Sequence, residues 1–124
     1  MARDPNRLKV FHRAHELAMA IYRLTERLPQ SERFGLSSQL RRAAASIPTN
    51  IVEGSIRHSA RDYGRFLDIA LGSAAEVRYL LRLAEDLHLL KAEELADCTD
   101  CSDRVFRELQ NLHKAVGRFT SSKP

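Results

Sequence analysis

The sequence predicts an all-α protein: an antiparallel up-down four-helix bundle with a proline-kinked second helix. Three observations carry this. Apolar residues recur every three or four positions in four separate stretches, the spacing that lines one face of a helix. Nothing alternates with period two for long enough to form a strand. Five glycines and four prolines in 124 residues are too few for the turns of a sandwich or small barrel. A chain of this length, 44% hydrophobic and 29% charged, forms one soluble domain spanning residues 1–124 and buries a core without disulfide or metal staples.

The first helix is expected over about residues 8–28. Val10, Ala14, Leu17, Ile21, Leu24 and Leu28 step by three and four, and Pro29 ends the run because the residue before a proline is pushed out of the helical region. The second is expected over about 36–58, with Ser37 as a cap and Leu36, Leu40, Ala43, Ala44, Ile47 and Ile51 as its apolar side. Pro48 lies within it. There it removes one backbone hydrogen bond, yet the spacing runs through it unbroken, so a kink is expected rather than a break.

Ser59 caps the third helix, about 60–88, with Asp62 placed to reach back as a capping-box acid. Its stripe is Tyr63, Leu67, Ala70, Leu71, Ala74, Val77, Leu81 and Ala84, flanked by Phe66, Leu80 and Leu87. That sector is wider than one bundle core requires and predicts a second buried contact. The small run Gly72-Ser73-Ala74-Ala75 allows a neighbouring backbone to come close. In the fourth helix, about 92–119, Leu95, Cys98, Ser102, Val105, Leu109, Leu112, Val116 and Phe119 keep the same rhythm. Residues 120–124 are expected to fray. Short links force neighbouring helices to run antiparallel.

No apolar run approaches the roughly 18 residues of a membrane span. Met1-Ala2-Arg3-Asp4-Pro5 leads into no signal-peptide core, so a cytoplasmic location is expected. Two cysteines, Cys98 and Cys101, suit a reducing compartment. Their Cys-x-x-Cys spacing stands alone, without the second ligand pair of a zinc site, and Cys98 falls on the core stripe. His12, His15 and Glu16 form half of a bundle metal site whose other half no helix supplies. Asp97, Asp100 and Asp103 lack the glycine and alternation of a calcium loop. With no Gly-rich phosphate loop and no nucleophile beside a base, neither a cofactor nor an enzymatic activity is expected.

Charge is uneven. Residues 1–65 carry 12 basic and 6 acidic side chains and residues 66–124 carry 8 and 10; 16 of the 20 basic residues are arginine. Arginine suits bidentate phosphate contacts, so the basic half points to a polyanion. Arg41, Arg57, Arg61 and Arg65 are its candidate nucleic-acid-binding residues. Arg61 and Arg65 share a helix face and Arg57 sits just across the turn. A second constellation is the polar row Arg42, Ser46, Asn50 and Glu53 beside the apolar stripe of the second helix, with Glu76 interrupting the third. Arg42 with Glu53 or Glu76 is expected as a buried ion pair in a structural network that also serves the carbonyl freed by Pro48.

Leu8-Lys9-Val10-Phe11, Ala14-His15-Glu16-Leu17-Ala18, Gly35-Leu36-x-x-Gln39-Leu40-Arg41-Arg42-Ala43-Ala44, Ser46-Ile47-Pro48-x-Asn50-Ile51-x-Glu53-Gly54, Phe66-Leu67 and Gly72-Ser73-Ala74-Ala75-Glu76 together resemble the bacterial four-helix-bundle proteins of 23S ribosomal RNA intervening sequences. The likeness covers about residues 8–90. Beyond it the fourth helix carries the pattern only as periodicity, and Lys91 stands where the family more often has a capping Ser, Thr or Asp. The resemblance implies a ring of five subunits and kinship with the basic pentameric accessory protein of diversity-generating retroelements. Besides further copies of the chain, the expected partner is RNA or DNA on the basic half. The alternative is a protein partner held by the ring as a scaffold, without nucleic acid.

Overall fold

The computed structural model describes residues 3–121. Among them are four helices and no strand: α1 (Lys9–Thr25), α2 (Leu36–Ser55), α3 (Ala60–Asp86) and α4 (Ala92–Ser121). The polypeptide is all-α. Each helix packs beside two others: α1 and α3 both lie against α2 and α4, with no close backbone approach across either diagonal.

Local chemistry explains where each helix begins and ends. A 3₁₀ turn at Pro5–Arg7 precedes α1, and the Asp4 side chain caps it by accepting from the Asn6 amide at 3.0 Å. α1 ends at Thr25, ahead of residue 28, because Arg27 and Leu28 donate to the carbonyls three residues back, those of Leu24 and Thr25. That tightened turn leads into Pro29.

α2 starts directly after Gly35, so Ser37 is not its cap; it lies inside the first turn, buried. The Glu32 carboxylate instead accepts from the Leu36 amide at 3.4 Å. The helix continues through Pro48. Thr49 Oγ1 and Asn50 Nδ2 donate to the carbonyls of Ala45 and Ser46, both at 2.8 Å, one and two residues beyond the carbonyl freed by the proline. α2 stops at Ser55 rather than residue 58: Ser55 Oγ turns back to the Val52 carbonyl at 2.6 Å, and Arg57 N bonds Gly54.

Ser59 caps α3 as expected, accepting from the Asp62 amide at 3.1 Å. The acid does not reach back, because its carboxylate pairs with Arg65 at 3.5 Å. α3 closes on His88, whose φ of 57° lets Leu89 N bond the Ala84 carbonyl. Lys91 leaves α4 without a capping side chain of its own, and Glu94 supplies one by accepting from the Lys91 amide at 3.0 Å. α4 runs on through Thr120 and Ser121, where a frayed tail was expected; residues 122–124 lie outside the described residues.

The core follows the predicted stripes as far as Val116. Phe119, expected on the α4 stripe, and Leu87, expected beside that of α3, are exposed, both at helix ends beyond the last buried residue of their stripe. Leu17, Ile21, Leu40, Ile47, Ile51, Leu67, Val77, Leu95, Val105 and Leu109 are fully buried. Ion pairs staple its rim: Arg13–Glu108 at 2.6 Å joins α1 to α4, Arg27–Glu94 at 3.4 Å joins the turn after α1 to α4, and Arg78–Asp103 at 3.1 Å joins α3 to α4. Such exposed pairs contribute little to stability. Burial of the apolar stripes holds the fold together.

Cys98 is a core residue and Cys101 is half-buried, both as free thiols. Burial pushes both thiols up, as it does the Tyr63 hydroxyl, which Arg3 partly offsets. A group that holds its proton more tightly when folded adds stability that is whole below its unfolded pKa and fades as pH rises above it. Resistance to urea is therefore expected to stay level up to about pH 8 and to decline from about pH 8.5 upward. The decline should be shallower in Cys98→Ala; an identical profile would place Cys98 in solvent.

Candidate nucleic-acid interface

Three arginines stand at the α2–α3 turn: Arg57 in the turn itself, and Arg61 and Arg65 on the first turns of α3. Arg57, half-buried, lays its guanidinium 4.5 Å from the centre of the Phe66 ring, and its Nε is sealed from solvent without a partner. Arg3 joins this end. Its amide donates to the Ser55 carbonyl at 2.8 Å, its Nη1 to the Arg57 carbonyl at 3.1 Å, and its guanidinium lies 4.4 Å from the Tyr63 ring centre. Arg61 is exposed and has no ion pair among the described residues. Arg65 is exposed too, but Asp62 answers its charge. Beside them a shallow groove is lined by Arg61, Gly64, Arg65, Asp68 and His113, with His113 Nε2 2.8 Å from Asp68 Oδ1.

Arg41 does not belong to this surface. It stands near the opposite end of α2, sixteen residues and about 24 Å of helix axis from Arg57. It is also held in place: Nε donates to Thr25 Oγ1 at 2.7 Å, Nη2 to the Tyr22 carbonyl at 3.2 Å, and the guanidinium lies 4.9 Å from the Tyr22 ring centre. Helix spacing relates residues a few positions apart. It gives no hint that α1 ends where α2 begins its second turn.

The polar row divides. Ser46 and Asn50 do form a network between α2 and α3. Asn50 Nδ2 donates to Ser46 Oγ at 2.9 Å, and Ser73 Oγ donates to the same oxygen at 2.8 Å. The buried ion pair is not there. Arg42, Glu53 and Glu76 are exposed and form no ion pair among the described residues. The reason is space: the inter-helix seam at this level is filled by serines, and the long charged side chains a turn away on either side swing out to water.

The network's third member, Ser73, and the tether, Arg3, escape a reading by spacing. Ser73 looks like one more small residue until α2 and α3 are laid together. Arg3 precedes the first periodic segment.

The small run meets α2 through Ser73, but its glycine takes no part. Gly72 is exposed, with nothing within 4 Å of where a Cβ would stand, whereas a Cβ on Gly54 would lie 2.9 Å from both Phe66 Cβ and Tyr63 Cδ1. Exposed apolar side chains remain on the outer faces of these two helices, Val52 on α2 and Ile69 and Tyr79 on α3, with Ile56 and Leu87 just past their ends.

Residues 6–111 match the model of a family described as 23S rRNA-intervening sequence protein. The crystal structure of a protein of unknown function from the S23 ribosomal protein family of Bacteroides thetaiotaomicron is similar throughout, with a TM-score of 0.79, 28% identity, and coverage of 85% of this chain and 98% of that one. No curated protein matches in sequence. Among the described residues, no helix is long and apolar enough to cross a membrane, and no three His, Cys, Asp or Glu side chains are grouped to hold a metal ion.

Proposed function

Because the chain belongs to the 23S rRNA-intervening sequence protein family, we propose that it works as a non-enzymatic, oligomeric helical-bundle module that contacts nucleic acid in the cytoplasm. The observation that carries this reading is the number of arginines at the α2–α3 end of the bundle. Arg57 is held against Arg3, and Arg61 and Arg65 stand on the first turns of α3, where Asp62 answers only Arg65. Arginines beside aromatic rings suit a phosphate backbone, which is bound by charge and with little regard to sequence. RNA and DNA fit this surface alike.

The assembly would be the homopentamer that the family resemblance implies. The exposed side chains of Ile56 (57%), Ile69 (52%) and Tyr79 (59%) supply apolar surface for it. Five copies would repeat the basic end and raise a weak affinity through multivalency. The same apolar residues favour a second reading, a scaffold that holds a partner protein and no nucleic acid.

Sedimentation velocity with a labelled oligonucleotide over a salt series reads assembly and binding together. The expected result is a pentamer whose log affinity falls linearly with log salt. In Arg61→Gln/Arg65→Gln that slope should flatten by about two, with ring and helix content unchanged. Arg57 is spared because it packs on Phe66. A pentamer with no affinity at low salt would establish the scaffold reading, and a stable monomer at micromolar concentration would remove the assembly.

A further inference from the structure

At the opposite end of α2, a groove of about 870 Å³ opens between the end of α1 and the start of α2. It is independent of the arginines at the α2–α3 turn. Its lining includes Ser37 and Ser38, in the first turn of the 20-residue α2. The first amide there, Leu36, is taken by Glu32; the next two, those of Ser37 and Ser38, have no acceptor among the described residues. Those free N–H groups and the positive end of the helix dipole favour an anion.

A second feature points to the same ligand. Ser37 is only 8% exposed, lines the groove, and its hydroxyl has no hydrogen-bond partner; yet that hydroxyl is not among the side-chain atoms sealed from solvent. With no protein partner and a path to the groove, that hydroxyl is free to turn its proton toward an acceptor bound there. Arg42, freed of the ion pair expected for it, lines the same groove without a carboxylate partner. Arg41 is fixed on the wall by Thr25 and Tyr22. Glu26 is the one acidic side chain on the lining.

Beside these groups stands Phe34. Its ring is 89% exposed and its one aromatic-face contact is the Arg33 guanidinium, 5.4 Å from the centroid. A flat ring next to a phosphate-sized anion site is what a nucleotide unit needs, since every base offers a face to stack.

We propose that this groove binds one nucleotide unit, with the phosphate on the Ser37 and Ser38 amides, the Ser37 hydroxyl and Arg42, and the base on Phe34. A free nucleotide and a residue of a single strand present the same chemistry. The experiment is calorimetric titration of the full-length protein with inorganic phosphate, with adenosine monophosphate and with a ten-residue single strand.

The expected result is saturable binding in which the nucleotide exceeds inorganic phosphate. Phe34→Ala should weaken the nucleotide about 5- to 100-fold and leave phosphate unchanged. Ser37→Ala and Arg42→Gln should each weaken both about tenfold. Phe34→Ala cannot fail for want of folding, because its ring packs on no core residue. A strand binding no tighter than the mononucleotide assigns a free nucleotide as the source; a strand binding tighter assigns nucleic acid, provided the gain survives in Arg61→Gln/Arg65→Gln. Absence of saturable binding, equal affinity for phosphate and nucleotide, or affinities unmoved by all three groove variants would each overturn the proposal. A strand gain lost in Arg61→Gln/Arg65→Gln belongs to the arginines at the other end and leaves the free nucleotide as the ligand of this groove.

Discussion

Leu109→Ala is expected to lower stability by about 2–5 kcal/mol, the range for truncating a fully enclosed leucine. Leu109 has no exposure and lies on the buried stripe of α4. Removing its branched end forfeits the transfer free energy of the lost carbons and leaves a cavity that helices on either side cannot collapse, since their own stripes are in contact around it. A domain of this size holds about 5–15 kcal/mol in all, so one substitution would remove a large share. Urea unfolding followed by circular dichroism reads it directly. The melting temperature should fall by roughly 8–20 °C. Tyr79→Ala, on the exposed face of α3, should stay within about 0.5 kcal/mol of the parent under conditions where the chain is dissociated. Equal stability of parent and Leu109→Ala would mean that α4, the helix with the least specific sequence pattern, is not docked as described.

Gly54→Ala and Gly72→Ala are expected to change stability in opposite directions. In a helix interior alanine is ordinarily favoured over glycine by about 1 kcal/mol. At Gly72 that gain should be realised, because a Cβ there meets nothing within 4 Å. At Gly54 the added carbon would stand 2.9 Å from Phe66 Cβ and from Tyr63 Cδ1. Neither is the far end of a flexible chain: the first is fixed to the α3 backbone, and the second belongs to a buried ring beneath Arg3. The helices must part at this point, a net loss of about 1–3 kcal/mol. Thermal melts of the two variants side by side test the pair. A Gly54→Ala protein more stable than its parent would mean that α2 and α3 are not in contact there. The parting would also shift Arg57 off Phe66, linking the packing of this glycine to the basic end of the bundle.

Much of the fold was legible in the sequence, and the stripes show why. Val10 to Leu28, Leu36 to Ile51, Tyr63 to Ala84 and Leu95 to Val116 each declare a buried face, because burial depends on apolar area and needs no particular partner. Ends were less legible. Ser59 was readable as a cap because capping is local, whereas α2 lost its last expected turn to the Ser55 hydroxyl, and α4, which starts where expected, is capped by Glu94. The site was the least legible part. The charge count found a basic half, and spacing brought Arg57, Arg61 and Arg65 together, but Arg41 was counted with them although it stands about 24 Å away along α2.

The sequence by itself determined that four amphipathic helices must share one core, since non-directional burial is written in a period of three to four residues. Only the tertiary structure decided which polar groups meet: Arg41 with Thr25, Ser73 with Ser46, Arg3 with Arg57, and Arg42, Glu53 and Glu76 with no ion-pair partner among the described residues. Hydrogen bonds and ion pairs form only within a few tenths of an ångström and a narrow range of angles. Such geometry between residues far apart in the chain exists only once the helices have docked.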